Sequence, residues 1–243
     1  MRDYAFMSNR PGADNRPRIM FAMPHTGTMC VNLTFNLLAM MFHPNYRVLW
    51  QPLGFRRPVD AARNEIVELF LQSDCEYLLM IDADMSDDPD YLTAPRFLDL
   101  ASYDKDIIGP IMLMYKDEDV VPIVLVYDEK AEGLKVMKSF ILGQVLECDA
   151  IGSGVMMIKR RVLEKLEPPY FKYLMDEKTG KLKLGQDFYF CQKAREAGFH
   201  VYTHTGIMTT HYQTLDLLPL FKQKVGLVAE PKSAANTIAR KIK

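Results

Sequence analysis

Apolar and polar positions fall into two regimes along this chain. Up to about Tyr103, short apolar runs alternate with longer stretches in which apolar residues recur at helical spacing. Ile19-Met20-Phe21-Ala22-Met23 predicts a strand closed by Pro24, with a loop at His25-Thr26-Gly27-Thr28. Val31 to Phe42 predicts a helix and Tyr46 to Leu49 a second strand. Val59 to Leu71 predicts another helix, with Ile66, Val67, Leu69, Phe70 and Leu71 on its core face. Tyr77 to Ile81 is the third strand. Asp87-Asp88-Pro89 predicts a further helix start, with an Asp cap and Pro in the first turn. Such strand–helix alternation predicts βαβ units and a parallel sheet.

Beyond Tyr103 the spacing shortens. Ile107-Ile108, Val120 to Tyr127 and Leu134 to Phe140 predict strands, with a hairpin connection at Glu129 to Gly133. Val145 to Cys148 and Val155 to Ile158 predict two more strands around a Gly152-Ser153-Gly154 turn. Arg161 to Leu166 predicts a short helix that Pro168-Pro169 ends. Asp187 to Ala197 predicts a helix stopped by Gly198, and His200 to Thr203 a final strand. The expected class is α/β: a Rossmann-like nucleotide-binding half with a mixed central sheet, fused to a more antiparallel acceptor-binding half. The predicted layout is a polar N-terminal tail over 1–17, a catalytic domain over 18–213 and a basic C-terminal tail over 214–243. Ala234 to Ile242 predicts a small basic helix within that tail.

The run Leu78-Leu79-Met80-Ile81-Asp82-Ala83-Asp84-Met85 carries the chemistry. Its apolar part reads as a strand buried on both faces. Unpaired carboxylates do not belong in such a strand, so Asp82 and Asp84 are expected where it leaves the core. In an open α/β sheet that carboxyl end is where ligands bind. Two acids on one short turn suit a hard divalent cation and the phosphates it holds.

Composition narrows the classes. The 243 residues are 49% hydrophobic and 25% charged, as in an ordinary globular protein of one sizeable or two small domains. A net charge of −1 gives no global field toward nucleic acid or membrane. The four cysteines form no Cys-x-x-Cys pair, which argues for buried thiols in a reducing compartment and against a cysteine zinc site. Met1 to Pro17 has no apolar core of a secretory signal, and no stretch approaches the roughly 20 apolar residues of a membrane span. A cytoplasmic protein is expected.

Asp60-Ala61-Ala62-Arg63-Asn64, Leu78 to Asp84, Gly152-Ser153-Gly154, Gln186-Asp187 and His211 occur in an order and spacing that resembles GT-A-fold glycosyltransferases, the family 2 group and its compact phage- and virus-type relatives. The resemblance spans roughly Arg18 to Gln213. It implies a nucleotide diphosphate sugar donor, preferably a UDP-sugar, and Mn²⁺ or Mg²⁺ as cofactor. Asp84 would bind the metal directly, and Asp82 would hold the ribose or reach the metal through water. His211 would complete the metal site, with His204 as competitor. Asp187 would be the general base of an inverting transfer, although the family usually has Glu-Asp where this chain has Gln186-Asp187. Arg63 and Asn64 would face the nucleotide, with Pro24, Thr26 and Ala83 beside it and Asp60 ranked lower. Gly152, Ser153 and Gly154 would let the backbone approach the sugar, with Asp149 on a donor hydroxyl; a plain hairpin turn is the other reading of the glycines. The loop from Tyr170 to Leu184, with Lys172, Lys178, Lys181 and Lys183, would be a lid over the donor. The acceptor would be a glycan or modified DNA. A nucleotidyltransferase and a noncatalytic nucleotide- or sugar-binding module are the alternatives.

Overall fold

A computed structural model describes residues 15–54, 58–87, 96–116, 119–130 and 133–213. The chain divides into a unit Met1–Tyr212 and a second unit Gln213–Lys243. The predicted basic helix in the tail lies outside the described residues.

The front of the chain alternates as expected: β1 (Arg18–His25), α1 (Val31–Met41), β2 (Arg47–Gly54), α2 (Val59–Leu71) and β3 (Tyr77–Ile81). Strand β1 lies between β2 and β3 and runs parallel to both. Next come β4 (Met85–Asp87), a 3₁₀ turn at Leu98–Tyr103 and β5 (Ile107–Ile111). The rear half holds β6 (Leu113–Lys116), β7 (Asp119–Pro122), β8 (Val124–Asp128), β9 (Gly133–Val136), β10 (Val145–Cys148), β11 (Ala150–Ile151) and β12 (Val155–Lys159). It ends with α3 (Arg160–Lys165), β13 (Leu174–Met175), β14 (Leu182–Leu184), α4 (Gln186–Glu196) and β15 (Val201–His211).

The central sheet has the order β10-β15-β5-β12-β3-β1-β2, with β4 on the end of β15. Strand β12 runs antiparallel between β3 and β5, so the sheet is mixed. Successive residues of each strand serve opposite faces. Met20, Ala22, Leu78, Met80, Met156 and Ile158 pack with α2, α3 and α4. Ile19, Phe21, Met23, Leu79, Ile81 and Met157 pack with α1 and the 3₁₀ turn. Two cores on one sheet explain why β1, β3 and β12 are apolar at nearly every position.

Local signals end the elements. After α4, the Gly198 N–H donates to the Arg195 carbonyl at 2.9 Å and the Phe199 N–H to the Ala194 carbonyl at 3.1 Å. Gly198 has φ +88°, the left-handed turn that glycine adopts without penalty. Arg160 reaches back to the carbonyls of Phe70, Ser73 and Cys75 at 3.0, 2.8 and 2.7 Å, satisfying the open end of α2.

Three expectations are corrected. Val120 to Tyr127 is two strands, because Pro122 has no N–H to continue a ladder and Ile123 turns its own N–H to the Met112 carbonyl at 2.8 Å. Strand β9 stops at Val136, short of Phe140. Asp87, at the predicted helix start, lies in β4 opposite Thr209, and its carboxylate accepts the Arg96 N–H at 2.6 Å. Residues 88–95 lie outside the described set. Strand β15 is far longer than predicted, because it pairs with β5 and β10 at its start and with β4 at its end. It absorbs a bulge on the way: His204 faces Pro110 and Met208 faces Ile111, consecutive residues of β5. Among the described residues, no helix is long and apolar enough to cross a membrane.

Candidate active site

The acids of the Asp82-Ala83-Asp84 turn emerge at the carboxyl end of β3, as their charge requires. Four backbone bonds hold the turn. The Asp82 N–H donates to the Gly154 carbonyl at 2.8 Å, and the Met85 N–H returns to Asp82 at 3.0 Å. The Cys30 N–H donates to Ala83 at 2.8 Å and the Tyr212 N–H to Asp84 at 2.9 Å. The turn is thus fixed by β12, by the start of α1 and by the end of β15.

It forms one wall of a cleft of about 1020 Å³. Pro24, His25 and Thr26 extend from β1; Thr28, Met29 and Cys30 lead into α1. Pro58, Val59 and Tyr212 complete the lining with Asp82, Ala83 and Asp84. The cleft lies outside the carboxyl ends of β1 and β3, where this class of sheet binds ligands. Tyr212, Met29 and Cys30 escaped sequence reasoning; only the adjacency of Tyr212 to His211 hinted at it.

Asp84 is 54% exposed, and its Oδ2 stands 3.6 Å from Nε2 of His211. Nδ1 of His211 lies 2.7 Å from the Leu113 carbonyl oxygen. A carbonyl only accepts, so Nδ1 carries the proton and the neutral ring turns a lone pair toward Asp84. Two acceptors face each other there, a donor set that takes either a proton or a cation. The Asp84 carboxylate accordingly raises the His211 pKa above 6.5, against burial and with help from the Leu113 carbonyl. A carbonyl accepting from the far ring nitrogen is an arrangement that also orients imidazoles that bind metals.

Asp82 does not join them as a third open ligand. Nη2 of Arg63 donates to both of its oxygens at 2.8 and 2.9 Å, and Nη1 donates to the Ser153 carbonyl at 3.2 Å. Among the described residues, no three His, Cys, Asp or Glu side chains are arranged to hold a metal ion. Arg63 is 2% exposed. The expectation that it faces the nucleotide is corrected: it lies beneath the acid turn, because a guanidinium buried in α2 needs a carboxylate and Asp82 supplies one. Burial pushes the Asp82 carboxyl above 3.8, Arg63 pulls it back, and Asp84 and Asp187 push it up further.

Asn64 is corrected likewise. It donates to the carbonyls of Asp60 and Phe171 at 2.9 and 2.8 Å, and accepts from the Tyr170 and Phe171 N–H groups at 2.7 and 3.1 Å. Its amide is fully used in clamping the Tyr170-Phe171 segment to α2. Gly152-Ser153-Gly154 lies behind the acid turn, not along the cleft. A Cβ on Gly154 would meet Met85 Cε at 2.5 Å, and one on Gly152 would meet Ile123 Cγ2 at 3.0 Å, so these glycines serve chain packing. Gln186 is buried and donates to the Ser153 hydroxyl at 3.1 Å, while its Oε1 has no partner.

Asp187 sits in the first turn of α4 and accepts the Phe188 N–H at 3.0 Å. Burial pushes its carboxyl above 3.8, opposed by that N–H and by the charge of Arg63. It is not among the residues lining the cleft, yet it is close enough to Asp82 and Arg63 to influence them electrostatically. His204 is structural: Nδ1 accepts the Gly206 N–H at 3.1 Å within the β15 bulge, and the ring packs on Tyr103.

Asp149 belongs elsewhere. It pairs with Arg195 and accepts the Tyr127 N–H at 2.5 Å, lining a second cavity of about 940 Å³. Leu125, Leu134 and Phe188 share that cavity with Leu174, Leu182, Lys183 and Leu184. The Tyr170 to Leu184 segment thus contributes to this cavity, and its β13–β14 hairpin does not line the cleft.

No protein-family model and no curated protein sequence matches the chain. Solved structures do. A197 from STIV is 19% identical, with a TM-score of 0.54 over 81% of this chain and 86% of that one. GalNAc-T7 in complex with UDP, GalNAc and Mn²⁺ is 12% identical, with a TM-score of 0.51 over 84% of this chain. The chain spans 44% of the length of GalNAc-T7. The fold is GT-A-like: a mixed α/β sheet whose acid turn closes the third strand.

Proposed function

We propose that this chain is a divalent-metal-dependent glycosyltransferase whose catalytic domain is 18–213. It moves a sugar from a nucleotide diphosphate sugar, by preference a UDP-sugar, to an acceptor hydroxyl with inversion. The observation that carries the reading is the facing of the Asp84 carboxylate and the His211 Nε2 lone pair at 3.6 Å, in a cleft on this fold. The complex of GalNAc-T7 with UDP and Mn²⁺ supports the same donor and ion.

In this reading Asp84 and His211 would hold the ion, whose remaining positions would be open to phosphate oxygen and water. Mn²⁺ or Mg²⁺ would neutralise the charge of the diphosphate leaving group as a Lewis acid. Asp82, oriented by Arg63, keeps a lone pair on each oxygen for a ribose hydroxyl. Pro24, Thr26 and Ala83 border the nucleotide. Asp187 takes the acceptor proton, and its raised carboxyl pKa favours that step.

Isothermal titration of the full chain with UDP, with and without Mn²⁺, tests the ion. A UDP-release assay with glycan and DNA acceptors tests turnover. Asp84→Ala abolishes metal-dependent UDP binding. Asp187→Asn keeps UDP affinity and loses about 10²–10⁴-fold in transfer. UDP binding that is indifferent to EDTA refutes the metal assignment, and full turnover by Asp187→Asn refutes the base.

A further inference from the structure

Helix α1 is apolar on two opposite faces. Leu33, Leu37 and Met40 are buried in the core. On the other side, Val31, Phe35, Leu38 and Met41 are 69, 65, 51 and 43% exposed, and Phe42, which follows the helix, is 84% exposed. A helix that is apolar all round belongs in an interior, and a cluster of large exposed apolar side chains marks a contact surface. The helix, Val-Asn-Leu-Thr-Phe-Asn-Leu-Leu-Ala-Met-Met, contains no charged residue. Charge depletion is the signature of the centre of a protein interface. A membrane-surface helix instead carries Lys or Arg on its polar face, and α1 has neither.

The spacing of the exposed residues identifies the partner. Val31, Phe35, Leu38 and Phe42 are separated by four, three and four residues, the seam of two helices packed side by side. The seam is complementary to its own reverse. When a second α1 runs antiparallel about a two-fold axis midway between residues 36 and 37, Phe35 faces Leu38 and Val31 faces Phe42. Every layer then pairs one aromatic ring with one aliphatic side chain, and the layers on either side of the axis are identical, as an isologous contact demands.

We propose that this face of α1 is the interface of a homodimer, formed with a second copy of the chain in that antiparallel register. The five exposed side chains offer on the order of 600 Å² per copy, so the pair buries roughly 1,200 Å², at the lower edge of stable specific interfaces.

Sedimentation of the full chain from about 1 to 100 µM tests this. The wild-type chain is a dimer at the upper end. Phe35→Lys and Leu38→Glu each weaken the dimer about thirtyfold or more. Mixed in equal amounts, these two variants form a heterodimer, because Lys at 35 of one copy meets Glu at 38 of the other and the second layer keeps its native Phe–Leu pair. If either variant fails to fold by circular dichroism, Phe42→Lys mixed with Val31→Glu repeats the test at the outer layer. A wild-type chain that stays monomeric throughout overturns the proposal, and so does a monomer that instead sediments with phosphatidylcholine vesicles. Folded variants that still dimerise alone, or that stay monomeric together, overturn it equally.

Discussion

Replacing Arg63 by Met keeps an unbranched apolar stem, about two atoms shorter, and removes the charge. Two bonds to Asp82 and one to the Ser153 carbonyl disappear. Breaking one side of a buried ion pair costs about 3–5 kcal/mol, because the other charge is left unpaired. The Asp82 side chain is 29% exposed, so water relieves part of the penalty, and about 3 kcal/mol is expected. For a chain of this size that lowers Tm by about 6–12 °C. The loss depends on pH. Burial already raises the Asp82 carboxyl above 3.8, and without Arg63 it climbs further. A carboxyl whose pKa is raised in the folded state contributes stability below its ordinary value and loses it as pH rises through the raised value. The Arg63→Met deficit is therefore largest near neutral pH and shrinks toward pH about 4, where the carboxyl is protonated. Calorimetry across that range measures it. Arg63→Met combined with Asp82→Asn recovers to within about 1 kcal/mol of the wild type, since no charge is then stranded. A deficit that does not change with pH, or a double variant as unstable as Arg63→Met alone, would refute the argument.

Asn64→Ala leaves the Tyr170 and Phe171 N–H groups without acceptors and costs about 2–3 kcal/mol in urea denaturation, with faster hydrogen exchange at those two amides. Gly109→Ala drives a methyl to 2.8 Å from the Val155 carbonyl, where β5 passes β12, and costs about 1–3 kcal/mol by thermal melting. Gly154→Ala, whose methyl meets the movable end of Met85, costs less than Gly109→Ala in the same assay. Asp187→Asn removes a charge that burial disfavours, so it raises Tm at neutral pH while lowering transfer about 10²–10⁴-fold; the gain in Tm fades as pH falls toward 3.8.

The front half was legible because its signals are local. Five apolar residues mark β1, although the strand runs on through Pro24 to His25 instead of ending at the proline, and Val59 to Leu71 is predicted to the residue as α2. The acid turn was legible because two carboxylates cannot remain in a strand buried on both faces. What failed required knowledge of the third dimension. Arg63 and Asn64 stand in adjacent positions of an amphipathic helix, and nothing in their spacing says that one lies under Asp82 and the other grips the Tyr170-Phe171 backbone. Asp149 is four residues from Ser153, which packs behind the acid turn, yet it lines a separate cavity, with β11 between them. His211 could be separated from His204 only by sequence position, while the structure separates them by their partners: the Leu113 carbonyl and Asp84 for one, the Gly206 amide for the other.

Strand β15 begins deep in the central sheet and ends at the imidazole beside Asp84, with a bulge between the two stretches. Thr205 anchors that bulge, its hydroxyl donating to the Ile141 carbonyl at 2.6 Å and accepting the Gln144 N–H at 2.9 Å. The arrangement is a slip joint. Side chains in the first stretch answer to the interior, those in the last to the acid turn, and the looped residues absorb any mismatch in length. A lineage could therefore retune the position of the histidine beside Asp84 without disturbing the fold it hangs from.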